Sequence, residues 1–211
     1  MNDRWYIYAL GFIAQFFFSA RTIIQWYKSE KAHEVTSPSL YWICSVLGSY
    51  IFFVYGYLRD DFSIILGQFI SYYIYLWNLD RKDVWNKLPF IVHIILLSTP
   101  VIAAMLMLSN IPAFVQNFFH NDEIPVWLIL LGSGGQLIFT FRFIYQWFYS
   151  VRRKMSILPA GFWIISLLGS GTIITYAIIR KDPVLILGQS VGFVAYCRNL
   201  SIGWKRHHSE C

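Results

Sequence analysis

The chain contains an internal repeat, and this repeat limits its possible folds more than any other feature. A shift of 121 positions places residues 15–79 on residues 136–200 without a gap, and 24 of the 65 aligned pairs are identical. The identical positions include arginine, glutamine, asparagine, serine and proline within otherwise apolar segments. A unit of this length is too long for one solenoid repeat, so the pattern indicates a duplicated helix bundle.

The composition indicates a membrane protein. Hydrophobic residues make up 57% of the chain and charged residues only 13%, whereas soluble domains carry about 25% charged residues. Seven apolar segments have about the length that a transmembrane helix needs: 5–27, 40–58, 62–79, 88–110, 125–149, 159–179 and 183–204. The sequence therefore predicts an all-α polytopic membrane protein. The first segment has no small-residue cleavage site, so we expect a retained helix and not a signal peptide.

The repeat and the number of segments together predict the order of the helices. Three helices per repeat is an odd number, so two direct copies would face opposite ways without one additional helix between them. We therefore expect a 3+1+3 architecture: a triple-helix repeat in residues 1–87, a linker transmembrane helix with an external loop in 88–124, and a second triple-helix repeat in 125–211. The two bundles would be parallel and related by an axis along the membrane normal.

The distribution of positive charge predicts the orientation. With seven spans, ten lysine and arginine residues lie on the side of the C-terminus and four on the opposite side. The positive-inside rule then places the N-terminus outside and the C-terminus in the cytoplasm. The net charge of +6 is thus explained by topology, and nucleic acid is not expected as a partner.

Three arginines fall inside the apolar segments: Arg21, Arg142 and Arg198. All eleven carboxylates lie at segment ends or in loops. An arginine within a span costs about 2.5–3.5 kcal/mol on insertion scales, so arginines without a carboxylate in reach are expected to bind an anion. The alternative is that each side chain extends along the helix to the lipid headgroups.

Further polar residues accompany the arginines in both copies. Gln25 follows Arg21 by four positions, on the same helix face, and Gln146 follows Arg142 in the same way. The candidate substrate-binding residues are Gln15, Arg21, Gln25, Gln68, Tyr75 and Asn78 in the first repeat and Gln136, Arg142, Gln146, Gln189, Tyr196 and Asn199 in the second. The glutamines and asparagines of the third helices could equally form interhelical hydrogen bonds. Neither a catalytic constellation nor a metal or cofactor site is expected from the spacing.

One known family has this order of residues. The pattern Gln-x5-Arg-x3-Gln-Trp-x2-Ser, then Pro-x3-Trp-x2-Ser-x-Leu-Gly-Ser, then Arg-x-Asp-x3-Ile-Leu-Gly-Gln and Tyr-x2-Asn-Leu resembles the bacterial lipid A biosynthesis N-terminal domain family. Two copies cover residues 10–79 and 131–200. The family is distantly similar to PQ-loop and SWEET-type transporters. The resemblance implies a multi-pass protein of the bacterial inner membrane that handles glycolipids or their carrier lipids.

These observations lead to one expected function and two alternatives. We expect a carrier or flippase for an anionic glycolipid or a polyprenyl-phosphate-linked sugar, with Arg21 and Arg142 holding the phosphate. The alternatives are a SWEET-like transporter of small sugars and a non-transporting partner of a membrane glycosyltransferase. Because the chain has no room for a soluble glycosyltransferase domain, we expect that it is not an enzyme and that it needs no cofactor.

Overall fold

The computed structural model describes residues 5–58, 62–108, 125–181 and 183–209, and each regular element in these ranges is helical. The α-helices are α1 (Trp5–Ala32), α2 (Ser39–Leu58), α3 (Phe62–Arg81), α4 (Phe90–Leu108), α5 (Val126–Arg153), α6 (Ala160–Ile179) and α7 (Pro183–Ser209), and a short 3-10 helix (Trp85–Lys87) precedes α4. They match the seven predicted segments, which confirms the all-helical prediction for the described ranges. The external loop predicted before residue 125 lies outside them.

The two repeats begin and end their helices in the same way. His33 and Lys154, which are 121 positions apart, follow α1 and α5 with left-handed φ angles of 55° and 53°, a conformation that commonly ends a helix. Pro38 and Pro159 directly precede α2 and α6, where the missing N–H costs little. The duplication in sequence is therefore also a duplication of local backbone structure.

The helices differ in how clearly they could cross a membrane. Within the described residues, α6 is the one helix that is long and apolar enough by itself, with a mean hydropathy of 1.8. Shorter apolar stretches occupy Ser39–Tyr55 in α2 and Phe90–Met105 in α4. Polar residues such as Arg21 and Gln25 lower the hydropathy of α1, and those of α5 have the same effect. Membrane crossing by all seven helices stays a prediction.

The chain divides into two compact units. The first comprises Met1–Phe18 and Trp42–Glu123, and the second comprises Ser19–Tyr41 and Ile124–Cys211. The division falls within α1, so the first half of that helix belongs to one unit and the second half to the other. The division into 1–87, 88–124 and 125–211 follows the repeats in sequence and stays a prediction.

In the first unit, α4 is held against α3 by hydrogen bonds to main-chain carbonyls. Pro100 lies inside α4 and has no N–H to donate to the carbonyl of Leu96. The Tyr72 hydroxyl donates to this carbonyl instead, at 2.9 Å. The Tyr73 hydroxyl donates to the next carbonyl, that of Leu97, at 3.1 Å. The proline therefore provides an acceptor that fixes the contact between the two helices.

In the second unit, α6 packs against both α5 and α7. Gly169 permits the close approach of α6 to α5, because a Cβ atom at this position would lie 2.8 Å from the backbone nitrogen of Phe139. The neighbouring Ser166 and Ser170 on α6 are also buried. Small side chains thus allow two helix backbones to come near each other, as is common where helices pack in membranes.

Candidate anion-binding site

Two arginines of the second unit lie against the same aromatic ring. Arg21 is in the second half of α1 and Arg142 is in α5, and their exposed fractions are 6% and 2%. The ring centroid of Phe143 is 5.3 Å from Cζ of Arg21 and 4.6 Å from Cζ of Arg142. Two positive charges, one from each repeat, are therefore buried on one side chain, and neither guanidinium reaches the surface.

Arg142 is enclosed by aromatic rings and two hydroxyl groups. Its Cζ atom lies 3.4 Å from the ring centroid of Phe139 and 5.4 Å from that of Phe162. Its Nη1 group donates to the hydroxyl of Tyr196 at 3.0 Å and to Oγ of Ser166 at 3.3 Å. Aromatic faces attract a cation electrostatically, so this environment holds the charge in place without neutralising it.

No carboxylate neutralises Arg142 within the described part of the chain. The ion pairs found there are Arg81 with Asp80 and Arg198 with Glu30. In addition, Nε of Arg142 is buried and has no hydrogen-bond acceptor among the described residues. A buried charge is costly unless it is paired and hydrogen-bonded. Arg142 therefore keeps both a net charge and a donor that an anion could use.

Arg198 differs from the other two arginines, because its guanidinium is paired with a carboxylate near the end of α1. Its Nε group donates to Oε2 of Glu30 at 2.8 Å, and both side chains are 43% exposed. The apolar segment was predicted to end at residue 27, but α1 continues to Ala32 and brings Glu30 beside α7. The hydrogen bond from Arg198 lowers the pKa of Glu30. Arg198 is thus a partner in a surface ion pair and not part of the buried cluster.

Gln25 fixes the loop that follows α1. Its Nε2 group donates to Oγ of Ser29 at 2.8 Å and to the carbonyl of Thr36 at 3.3 Å. The backbone N–H of Thr36 donates in turn to Oγ of Ser29 at 3.0 Å. We call this arrangement of glutamine, serine and loop backbone the loop clamp.

The second repeat contains the same loop clamp after α5. Nε2 of Gln146 donates to Oγ of Ser150 at 2.8 Å and to the carbonyl of Ile157 at 2.9 Å. The N–H of Ile157 donates to Oγ of Ser150 at 3.2 Å. All three residues lie 121 positions after their counterparts, although Thr36 and Ile157 differ in side chain. Both clamps bind the backbone of the loop residue. The hydroxyl of Thr36 adds a contact of 3.2 Å to Oγ of Ser29, which the apolar side chain of Ile157 cannot make.

Asn199 forms a reciprocal amide pair with Gln25. Nε2 of Gln25 lies 2.7 Å from Oδ1 of Asn199, and Nδ2 of Asn199 lies 3.0 Å from Oε1 of Gln25. Nδ2 of Asn199 also donates to the carbonyl of Ala195 at 2.8 Å. These amides are engaged in contacts between α1, α7 and the loop, and their action as substrate ligands stays a prediction.

Three other predicted residues are not fully buried. Gln15 and Gln136 are exposed, and Gln189 is half-buried. Their repetition in both copies placed them among the candidates, since a helical period alone does not tell which polar side chain faces inward. Their binding role stays a prediction.

In the first unit, three predicted residues have contacts within that unit. Gln68 accepts a hydrogen bond from the hydroxyl of Ser49, and Nδ2 of Asn78 donates to the carbonyl of Ile74 at 2.8 Å. The ring of Tyr75 lies 6.1 Å from that of Trp42. The contact of Asn78 lies within one helix, and those of Tyr75 and Gln68 join neighbouring helices. The hydrogen bond between Ser49 and Gln68 is of the interhelical kind that the alternative interpretation of Gln68 described.

Sequence reasoning missed several residues around Arg142. Ser166 and Trp163 are identical to Ser45 and Trp42 in the first copy, so the repeat offered a signal for both. Trp163 is 2% exposed, and its ring lies 5.9 Å from that of Tyr196. Phe143 corresponds to Thr22 in the first copy, and no sequence signal marked it.

The comparisons with known proteins agree with the repeat. The model of the Lipid A Biosynthesis N-terminal domain matches residues 10–80 and 131–201. The chain belongs to this family. It is 32% identical over 208 residues to the lipid-A-disaccharide synthase of Chlamydia pneumoniae, which covers 96% of the chain and 34% of that relative. Identity to the synthase of the same name from Chlamydia felis is 28% over 209 residues, covering 95% and 33%. No solved structure matches the chain.

These relatives correct the expectation that the chain is not an enzyme. Seven curated relatives bear the name lipid-A-disaccharide synthase, which points to an enzyme family in lipid A biosynthesis. The expectation rested on the absence of a recognisable catalytic constellation and of room for a glycosyltransferase domain. The chain spans about a third of the length of the curated relatives it matches.

Proposed function

We propose that this chain is a membrane-embedded carrier that binds an anionic glycolipid or a polyprenyl-phosphate-linked sugar in lipid A biosynthesis. The observation that carries the proposal is the pair of buried arginines on the ring of Phe143. Arg142 has no carboxylate partner within the described residues, and a guanidinium presents a planar fork that fits phosphate oxygens. A phosphate held by Arg142, with Arg21 against the same Phe143 ring, would neutralise the charge of Arg142 that no carboxylate among the described residues compensates.

The distribution of polar and apolar side chains supports the membrane part of the proposal. Arg142, Gln146 and Asn199 of the second unit are buried, while Leu137 and Leu168 are 70% and 62% exposed. Extensive exposure of large apolar side chains marks a surface that contacts apolar surroundings. The arrangement fits a bacterial inner-membrane protein with seven spans in a 3+1+3 order, its N-terminus outside and its C-terminus in the cytoplasm.

The relatives support the pathway. Their name describes synthesis of the lipid A disaccharide, so their chemistry involves glycolipids. Movement of such a lipid between leaflets suits a duplicated bundle in which each repeat contributes one arginine. A second candidate function follows from the same name: the chain receives the glycolipid and presents it for formation of the disaccharide, together with a membrane glycosyltransferase.

Native mass spectrometry of the detergent-extracted protein tests the binding proposal. The wild-type chain should retain a phosphorylated glycolipid or polyprenyl phosphate, and the double variant Arg21→Ala, Arg142→Ala should lose it. Arg198→Ala is the matched control, because this arginine is paired on the surface, and it should retain the lipid. Equal retention by the double variant and the wild type would refute the proposal.

Reconstitution into liposomes distinguishes the proposed carrier from the two alternative functions. A carrier should equilibrate a labelled anionic glycolipid between the leaflets of liposomes, and the double variant should not. Lipid binding without such movement, together with a stable complex with a glycosyltransferase, would favour presentation of the lipid. Uptake of free sugar without lipid binding would favour the SWEET-like alternative.

A further inference from the structure

The buried cluster around Arg142 contains a second donor without an acceptor. Nε1 of Trp163, like Nε of Arg142, is buried and has no hydrogen-bond partner among the described residues. Both side chains are 2% exposed. Buried polar groups in native proteins are almost always hydrogen-bonded, so each exception calls for an explanation. Because the two unpaired donors lie in one cluster, a single explanation should account for both.

Trp163 and Arg142 share two aromatic neighbours. The ring of Trp163 lies 4.8 Å from that of Phe162 and 5.9 Å from that of Tyr196. Cζ of Arg142 lies 5.4 Å and 5.5 Å from the same two rings. The Tyr196 hydroxyl already accepts a hydrogen bond from Arg142. The indole and the guanidinium therefore pack against the same two aromatic rings.

We propose that the indole N–H of Trp163 is a further ligand-binding donor, which acts with Arg142 on the oxygens of a phosphate monoester carried by the lipid. This inference rests on the proposed function and adds to it a residue and a class of headgroup. Indole N–H and guanidinium groups are donors only, so they recognise a group that is rich in acceptors. A phosphate monoester offers three terminal acceptor oxygens, whereas a sugar hydroxyl offers one oxygen and brings a donor that neither the indole nor the guanidinium can accept.

The repeat supplies a matched control for a test of Trp163. Trp42 is its counterpart, is fully buried, and packs against Tyr75 as Trp163 packs against Tyr196. Trp163→Phe and Trp42→Phe thus remove the same atoms from equivalent helices. Trp42→Phe leaves the indole of Trp163 in place. A larger loss of ligand affinity in Trp163→Phe than in Trp42→Phe would therefore be due to the indole N–H of Trp163.

Calorimetric titration with dihexanoyl phosphatidic acid in dodecyl maltoside micelles measures this affinity, and dihexanoyl phosphatidylcholine reports unspecific binding. We expect the Kd of Trp163→Phe to rise at least fivefold and that of Trp42→Phe to rise less than twofold. A rise of less than fivefold in Trp163→Phe would overturn the inference while leaving the proposed function standing. Failure of the wild-type chain to prefer phosphatidic acid over phosphatidylcholine would refute the phosphate site itself, and with it the inference.

A second replacement keeps the test valid if Trp163→Phe folds poorly. Incorporation of 3-benzothienylalanine at position 163 puts sulfur in place of the N–H and keeps the bicyclic shape. The protein should keep the unfolding temperature of the wild type, because the N–H has no partner within the described residues, and its Kd for phosphatidic acid should again rise at least fivefold. Wild-type affinity in this protein would overturn the inference.

Discussion

At the scale of single residues, the main question is why two arginines are buried on one ring. Extension of the side chain to the lipid headgroups predicts an exposed guanidinium, but Arg21 and Arg142 are 6% and 2% exposed. Pairing with a carboxylate is found for Arg198, through Glu30, but not for Arg142 in the described ranges. Cation–π contacts contribute roughly 0.5–2 kcal/mol, which is less than the several kcal/mol that a buried ion costs. We therefore propose that a bound anion supplies the missing compensation.

This argument predicts that lysine cannot replace Arg142. An ammonium keeps the charge but lacks the planar fork, and a lost hydrogen bond to a charged group costs about 1.5–3 kcal/mol. Lipid affinity of Arg142→Lys should therefore fall roughly 10- to 150-fold, measured by titration with an anionic lipid in detergent. Arg198→Lys, which alters a surface ion pair, should bind as the wild type does. Wild-type affinity in Arg142→Lys would mean that the charge alone matters and that the fork has no ligand.

The residues of the site were only partly predictable. Arg21 and Arg142 were identifiable because a charged residue in an apolar segment is costly and because both copies keep it. The position of Phe143 between them depends on how helices of the second unit pack, which a repeat alignment cannot tell. Glu30 was assigned to a loop because hydropathy ends a helix where polar residues begin, although a helix can continue through them.

At the scale of elements, the loop clamp explains why both copies keep a glutamine and a serine four positions apart. Gln25 with Ser29 and Gln146 with Ser150 join the last turns of α1 and α5 to the loops that follow. Both serines are fully buried, so water cannot replace these contacts. The clamps fix the direction in which the chain leaves α1 and α5. They thereby help to position these two helices, which carry Arg21 and Arg142.

Removal of a clamp hydroxyl should destabilise the fold. In Ser150→Ala, the N–H of Ile157 and the amide of Gln146 lose an acceptor, and a buried unsatisfied donor costs about 1–3 kcal/mol. The unfolding temperature in detergent should fall, and Ser29→Ala should behave alike. Ser201→Ala is the control, since Ser201 is exposed and its hydroxyl donates to the carbonyl of Cys197 within its own helix. An unchanged unfolding temperature in both clamp variants would contradict the structural role of the clamp.

Two glycines on adjacent helices should respond in opposite directions to substitution by alanine. In Gly169→Ala, the new Cβ would lie 2.8 Å from backbone of α5, and overpacking of this kind costs about 1–3 kcal/mol. In Gly134→Ala, no atom lies within 4 Å of the new Cβ among the described residues, and alanine is favoured over glycine in a helix by about 1 kcal/mol. Unfolding temperatures should fall for the first and rise for the second. A fall of equal size in both would show that the close approach of α5 and α6 is unimportant.

Element boundaries were predictable to within a few residues, and their errors have one cause. The predicted segments ended at residues 27 and 149, whereas α1 and α5 continue to Ala32 and Arg153. Each extension consists mostly of polar or charged residues, and hydropathy assigns such a stretch to a loop. The left-handed residues His33 and Lys154 end both helices at equivalent positions, and no glycine is present there to signal the end.

At the scale of the whole molecule, the repeat predicted more than the composition did. It led to the family and to the helix order, because a gapless alignment preserves the register of three helices. Composition predicted a membrane protein, which the exposed apolar side chains support. The expectation that the chain is not an enzyme was wrong, because its curated relatives bear the name of an enzyme. The share of apolar residues reports on the surroundings of a chain and contains no information about the reaction in which its relatives take part.

The last prediction concerns the side of the membrane to which the ends of α1 and α5 belong. In the second unit, Oγ of Ser37 and Oγ of Ser156 lie 3.2 Å apart, so the loops after these two helices must be on one side. The excess of lysine and arginine there predicts that this side is the cytoplasm. Lys31→Cys and Arg152→Cys occupy equivalent exposed positions of the two repeats and suit a labelling experiment in a chain without its three native cysteines.

A membrane-impermeant maleimide applied to intact spheroplasts should leave both cysteines unlabelled, and permeabilisation should expose both equally. Lys181→Cys, in the connection between α6 and α7, is the control and should react from outside. Labelling of both test positions from outside would reverse the orientation but keep the contact between the loops. Labelling of only one would be incompatible with the hydrogen bond between Ser37 and Ser156, and the parallel arrangement of the two repeats would have to be abandoned.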